Sequence, residues 1–387
     1  MRIHLRDWIE ERNERTTVSD QHPVLTCSQS GILLQSAYFK KQIASQDNAG
    51  YKIVHRGDFT YRAMSDTGRF YIHQMDCAEI GIVSPAYPVF FLKKDAPIVP
   101  EYLLLFFESK LFHELVSSKS KGSTRLSLRL SKIEELVVDF PDVDEQNKRI
   151  SLMNSLLAQI GEIDRRAASY DESIKSLFIE MFGLPTDNKH GFEIASIGDV
   201  VCDVHYGTSK KASDDGEYTY LRMNNITYDG ELDLTDTKKI SMSEKELAGC
   251  MVRKGDVLFN RTNSRDLVGK TCAFTLDEPM VIAGYIIRLR MNGRVLPEYL
   301  STFLNLKCSK KMLFDMAKGA VGQANINAQE IQSVRLLVPP IEAQIPFQKL
   351  VEMKQKLRFN AAKQKRLFEE YRSSFLQDFF EGGSKHE

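Results

Sequence analysis

Residues 144–183 carry a pattern that few folds can accommodate. Met153, Leu156, Ile160, Ile163, Ala167, Tyr170, Ile174, Leu177 and Met181 recur at alternating spacings of three and four. That is the a/d seam of a coiled coil, narrower than the stripe of a helix lying on a globular surface. Asp142 and Asp144 precede the stretch, no proline interrupts it, and Gly183 and Pro185 close it, so its start and stop signals agree. About 40 residues at roughly 1.5 Å each make a rod of about 60 Å. A rod of that length is a spacer, and a spacer needs something at each end.

The chain laid on itself with a shift of about 198 residues shows what the ends are. Gly57-Asp58 falls on Gly255-Asp256, Tyr87 on Tyr285, Ile133 on Ile331, Pro141 on Pro339, Gln146 on Gln344 and Phe182 on Phe380. Slipping by one residue adds Pro100-Glu101-Tyr102-Leu103 on Pro297-Glu298-Tyr299-Leu300, and Gly122 lies against Gly319 in the slipped register. A unit of globular domain plus rod is written twice, at a period far above that of solenoid repeats. The expected division is a first domain over 1–142, a first rod over 143–184, a second domain over 191–340 and a second rod over 341–383.

Within the domains, short strand signals broken by glycine dominate before Pro100, and Tyr102–Leu115 reads as one helix buried on one face. The second domain follows the same order, and the fold class is α/β in the α+β sense. The second rod is less regular. Leu350, Met353, Leu357, Leu367 and Tyr371 continue a seam, with Asn360 and Gln364 where apolar residues are expected. A polar residue at such a position fixes register at some cost in stability. Phe347, Phe359, Phe368, Phe375, Phe379 and Phe380 fall partly off that seam, for burial against the domains or as a docking face.

Charge points to local patches. The net charge is zero, which argues against a bulk polycation on nucleic acid. Yet residues 117–132 carry Lys119, Lys121, Arg125, Arg129 and Lys132 with no acid, around Gly122, Ser123 and Thr124. The counterpart, 307–323, carries Lys307, Lys310, Lys311 and Lys318 and ends at Gln323. The same loop made basic twice in diverged sequences suits phosphate contact. Around these loops the candidate DNA-binding residues are Arg62, Ser65, Arg69, Lys119, Lys121, Ser123 and Arg125 in the first unit. In the second they are Lys210, Lys211, Arg222, Asn224, Asn225, Arg261, Asn263, Arg265, Lys318 and Gln323. Arginine can bond guanine O6 and N7, and asparagine or glutamine adenine N6 and N7, whereas lysine and hydroxyl side chains in glycine-rich turns more often hold phosphates.

Signatures of chemistry are missing where they would be expected. Val268-Gly269-Lys270-Thr271 ends like a phosphate loop, but Ser264 stands where its first glycine is needed. No glycine-rich dinucleotide fingerprint follows a strand. Pro339-Pro340 is followed by Ile341, not by the aromatic that an amino-methylating site stacks on its base. The six cysteines are scattered without a paired motif, as for thiols in a reducing compartment, and no metal site is expected. The N-terminus lacks the apolar core of a signal peptide and no run reaches membrane length. A cytoplasmic, non-catalytic protein is expected.

The stretches Tyr51–Phe59, Gly81–Tyr87, Tyr220–Ile226, Gly255–Thr262 and Pro339–Gln344 together resemble the specificity subunits of type I restriction-modification systems. The likeness covers nearly the whole chain; its motifs are loose, and the order of domain, rod, domain, rod is specific. One departure is the first rod's entry, Phe140-Pro141-Asp142, which has a single proline. The resemblance implies two target-recognition domains on an antiparallel pair of long helices. Each domain would read one half of a split, asymmetric site in double-stranded DNA, and the helices would set the unread base pairs between. Two modification subunits would bind S-adenosylmethionine and methylate adenine, and restriction subunits can join; no cofactor is expected in this chain. The competing reading is a coiled-coil adaptor between two protein partners, without DNA specificity.

Overall fold

The computed structural model describes residues 1–38, 47–117, 126–213, 215–317 and 323–381. The chain divides into two compact units, Met1–Glu162 with Gln364–Glu387, and Ile163–Lys363. Two helices, Val143–Phe182 and Ile341–Glu381, each contribute to both.

The duplication read from the sequence reappears as duplicated sheet topology. The first unit has an antiparallel sheet in the order Ile9–Glu11, Val89–Leu92, Phe59–Tyr61, Ile72–Gln74. The second has Val201–Tyr206, Ile286–Met291, Asp256–Asn260, Thr271–Ala273 in the same order. Arg2–His4 pairs with Val137–Asp139, as Glu193–Ser196 pairs with Arg335–Val338. Divergence is concentrated elsewhere. The second unit adds Tyr218–Leu221 and Lys238–Ile240 to a second four-stranded sheet, with Tyr218–Leu221 parallel to Met280–Ile282.

Two matched polar residues explain why the repeats keep them. Gln146, fully buried, accepts from Val99 N and donates to Pro97 O and Pro141 O. Gln344, also fully buried, accepts from Leu296 N and donates to Arg294 O and Pro339 O. Each glutamine ties the start of its long helix to the turn before the Pro-Glu helix, satisfying backbone groups that burial would otherwise strand. The Gly-Asp pairs form the second staple. Gly57 and Gly255 sit at φ +93° and +92°, a turn that favours glycine. The buried carboxylates of Asp58 and Asp256 cap His55 N and Arg253 N and take bidentate arginine bonds from Arg12 and Arg290.

Three expectations about helices need correction. Tyr102–Leu115 is two helices, Pro100–Glu108 and Lys110–Ser117. Buried Ser109 breaks them, its backbone extended and its hydroxyl accepting from Phe112 N. The first long helix ends with Gly183 at φ +76°, as its stop signals imply, but its buried line runs from Met153, Leu156, Ile163 and Ile174 to Phe178 and Phe182. Leu177 and Met181 are only partly buried, because a 3.6-residue turn drifts from a 3.5-residue repeat. In the second long helix the expected seam is on the outside. Met353 is 55% exposed and Tyr371 58%, with Leu357 and Leu367 also exposed.

The inward line of that helix is, in the second unit, Phe347, Val351, Lys354 and Arg358; in the first it is Phe368, Arg372, Leu376 and Phe380. Cations occupy seam positions because acceptors await their heads. Asp171 receives Arg358 and, at 3.3 Å, Lys354; Glu108 receives Arg372. Their aliphatic stems cover apolar surface. Within each unit the two helices run antiparallel. Arg149 donates to Phe379 O in the first unit, and Phe178 lies 5.4 Å from Phe347 in the second. Of the six phenylalanines left off the expected seam, Phe347 and Phe380 are buried and Phe368, Phe375 and Phe379 partly so. Phe359 is 71% exposed.

Candidate nucleic-acid interface

Both units build the same local frame beside the basic loops. After the strand Phe59–Tyr61 the chain pairs Met64–Ser65 with Leu126–Ser127, Met64 opposite Ser127. After Asp256–Asn260 it pairs Thr262–Asn263 with Ala324–Asn325, Thr262 opposite Asn325. Each two-stranded clip joins the loop leaving the central sheet to the chain just beyond a basic loop. In the second unit Thr262 Oγ1 also donates to Asn325 Oδ1 at 2.9 Å. Residues 118–125 and 318–322 are outside the described residues, and with them Lys119, Lys121, Ser123, Arg125 and Lys318.

Among the described candidates of the first unit, Arg62, Ser65 and Arg69 line one cleft of about 430 Å³ together with Tyr71 and Tyr87. Arg62 and Arg69 are exposed, and neither has a hydrogen bond or ion pair among the described residues. Ser65 Oγ caps Thr67 N. The cleft therefore presents two guanidinium groups and two phenol rings to solvent, a set able to hold anions and stack on flat groups.

The second unit sorts its candidates differently. Arg222, Asn224 and Asn225, expected to face a ligand, are turned onto the chain's own next loop. Arg222 pairs with Asp236 at 2.9 Å and Asn224 donates to the same carboxylate. Asn225 is buried, donates to Asp233 O and Asp236 O, and accepts from Arg222 N. The Asn225 amide is thus spent on three backbone groups and holds a loop together. Asn263 is likewise tied, donating to Asn260 Oδ1 and capping Ser264 N.

What remains available is basic and aromatic. Arg261 lies over the Tyr206 ring at 4.8 Å, and its Nε is buried without a partner. Arg265 lies over Phe314 at 4.4 Å and donates to Phe314 O. Lys210 faces Glu246 at 3.5 Å; Lys211 and Gln323 are exposed. The backbone approach that brings these loops together needs glycine, since a Cβ on Gly207 would meet Ile282 O at 2.2 Å.

Sequence reasoning passed over two residues here and gave a third the wrong surroundings. Tyr206 is 43% exposed and Tyr285 50%; neither stood out among 14 tyrosines, and Tyr285 was visible only as the match of Tyr87. Lys310 was counted as a surface cation. Instead its amine donates to Gly269 O at 2.9 Å over the Tyr228 ring, and burial, with Lys175 nearby, pushes it down to about 7. Among the described residues no cluster of side chains is arranged to hold a metal ion.

Comparison with known proteins bears on this geometry. Residues 189–352 match the model of the type I restriction modification DNA specificity domain. The Escherichia coli (strain K12) type I restriction enzyme EcoKI specificity subunit is 23% identical over 278 residues, covering 67% of this chain and 60% of that protein. Over 67% of its length the chain is thus similar to a type I restriction enzyme specificity subunit. The Salmonella potsdam StySPI specificity subunit is 24% identical over 276 residues, again 67% of this chain and 59% of the relative. The chain thus spans about 60% of the length of these relatives. A solved structure described as "Structural basis underlying complex assembly and conformational transition of the type I R-M system" covers 98% of this chain and 97% of that one. It does so at 18% identity with a TM-score of 0.56, a likeness of fold. The specificity-domain match falls on the second unit and on the clip that carries Arg261 and Asn325.

Proposed function

We propose that this chain is a type I specificity subunit that recognises double-stranded DNA in two parts, one half-site per unit, and performs no chemistry itself. The observation that carries the reading is the repeated clip. The same frame, at the same register, stands beside a basic loop in both units, and the side chains mounted on it differ. A repeated frame gives each unit the same mode of approach to a groove, and divergent side chains give each a different sequence. The two long helices would set the number of unread base pairs between the half-sites.

Two modification subunits supply methylation in this reading, with S-adenosylmethionine bound there and adenine as the target, and restriction subunits join the same complex. Exposed Met353 and Leu357 in the second unit, and exposed Leu367 and Tyr371 in the first, support a docking role for the second long helix within each unit, because exposed apolar residues at helical spacing mark a partner surface. A cytoplasmic location accords with that partnership; among the described residues no helix is long and apolar enough to cross a membrane. Co-expression with the modification subunit, followed by mapping of methylated adenines across a genome, tests the proposal. A motif in two parts separated by a fixed unread gap is expected. A continuous motif, or none, counts against it.

A further inference from the structure

The clips allow the two units to be compared residue by residue. Met64 and Thr262 hold the same place, as do Ser127 and Asn325, so position 62 corresponds to 260 and position 63 to 261. Backbone bonds agree: Leu128 N donates to Ala63 O at 2.8 Å, and Ile326 N to Arg261 O at 2.9 Å. In the first unit the arginine is at the earlier position, Arg62, in the cleft that Tyr87 lines. In the second unit that position is Asn260, fully buried, whose amide bonds Tyr285 O and Thr262 O. The arginine comes one residue later, at Arg261, and turns to Tyr206 instead.

Successive residues of an extended chain point to opposite sides. A displacement of one residue therefore moves the guanidinium from the side of the Tyr87/Tyr285 position to the other side of the same loop. Tyr206 is itself anchored, its hydroxyl accepting from Ala328 N at 2.8 Å. A flat, anchored ring fixes the plane of the guanidinium above it, and a bidentate contact to a guanine edge requires such a fixed plane. Arg261 has no carboxylate partner among the described residues that would compete for it.

We propose that Arg62 and Arg261 are the guanine-reading side chains of the two units, presented from opposite sides of one shared loop, with Tyr206 the positioning residue for Arg261. This rests on the bipartite reading above and adds to it which residue reads in each half and why the halves differ. Tyr206 touches no base in this scheme. It acts by holding the arginine.

The test is the methylated-adenine map of the assembled complex for the wild type and for Arg261→Ala, Tyr206→Leu, Tyr206→Phe and Arg62→Ala. Arg261→Ala is expected to relax one guanine position in one half-site, with discrimination there falling about tenfold or more. Arg62→Ala should do the same in the other half-site only. Tyr206→Leu should reproduce the Arg261→Ala map in weaker form, and Tyr206→Phe, which keeps the ring, should restore the wild-type motif. The half-site left untouched in each map certifies that the chain is folded. A wild-type bipartite motif that survives Arg261→Ala, or that weakens equally at every position, overturns the assignment of Arg261 and leaves the bipartite reading standing. Relaxation of the same half-site by both arginine variants overturns the opposed presentation. A wild-type map without two parts removes the bipartite reading and this inference together.

Discussion

Asp256 shows how a single carboxylate decides whether its unit holds. It is 2% exposed, caps the Gly255 turn through Arg253 N, and takes two bonds from Arg290 on the neighbouring strand. Removing it leaves a cation facing a buried hole, so Asp256→Ala should destabilise the chain by about 3 kcal/mol in urea unfolding; a loss below roughly 1 kcal/mol would mean that water replaces the carboxylate. Gln344→Ala strands one buried N–H and two carbonyls and should cost about 2 kcal/mol. Lys310 gives the pH dependence. Its folded-state pKa of about 7 lies below the ordinary lysine value, so the unfolded chain binds the extra proton between the two values. Its burial therefore weakens the fold most at and below pH 7, and the penalty fades as pH rises toward the ordinary value. Lys310→Met should raise the melting temperature at pH 6, and the gap from wild type should close by about pH 10; a gap that does not change with pH would show that the amine is charged throughout.

The long helices show where heptad reading succeeds and where it misleads. The first was legible down to Gly183, because its inward residues other than Gln146 and Asp171 are apolar and its end carries standard signals. The second was read on the wrong face, because Lys354, Arg358 and Arg372 occupy inward positions while Met353, Leu357, Leu367 and Tyr371 face out. Hydrophobic pattern alone cannot distinguish a core seam from a docking seam when the core seam is built from paired cations. The distinction is measurable. The double variant Leu357→Glu, Tyr371→Glu should alter unfolding by no more than about 0.5 kcal/mol and, on the proposed reading, abolish co-purification with a modification subunit. Retained assembly would take the docking role from this face. Val351→Glu, at 6% exposure, should do the reverse and unfold the chain before assembly is affected.

For the molecule as a whole, the duplication and the mixed α/β class were legible from matches such as Gln146 with Gln344 and Gly57-Asp58 with Gly255-Asp256. The structure adds the reason: those residues staple turns that every copy of the unit needs. The interface was less legible. Arg222 and Asn225 have the right chemistry for base reading, but their partners, Asp233 and Asp236, lie a loop further on, and such closure is invisible to composition. Tyr206 was missed because an aromatic platform has no spacing signature. Affinity is expected to rest on the basic loops. Changing Lys119, Lys121 and Arg125 to alanine should flatten the salt dependence of DNA binding by roughly 0.9 log unit per lost phosphate contact, and an unaltered slope would assign that loop to other duties.

The clip has an evolutionary corollary. A clasp made mainly of main-chain pairing tolerates changes of side chain, since its own letters contribute little to holding it shut. On the reading proposed above, the side chains mounted on that clasp can therefore be exchanged to change the DNA sequence recognised without rebuilding the scaffold that carries them.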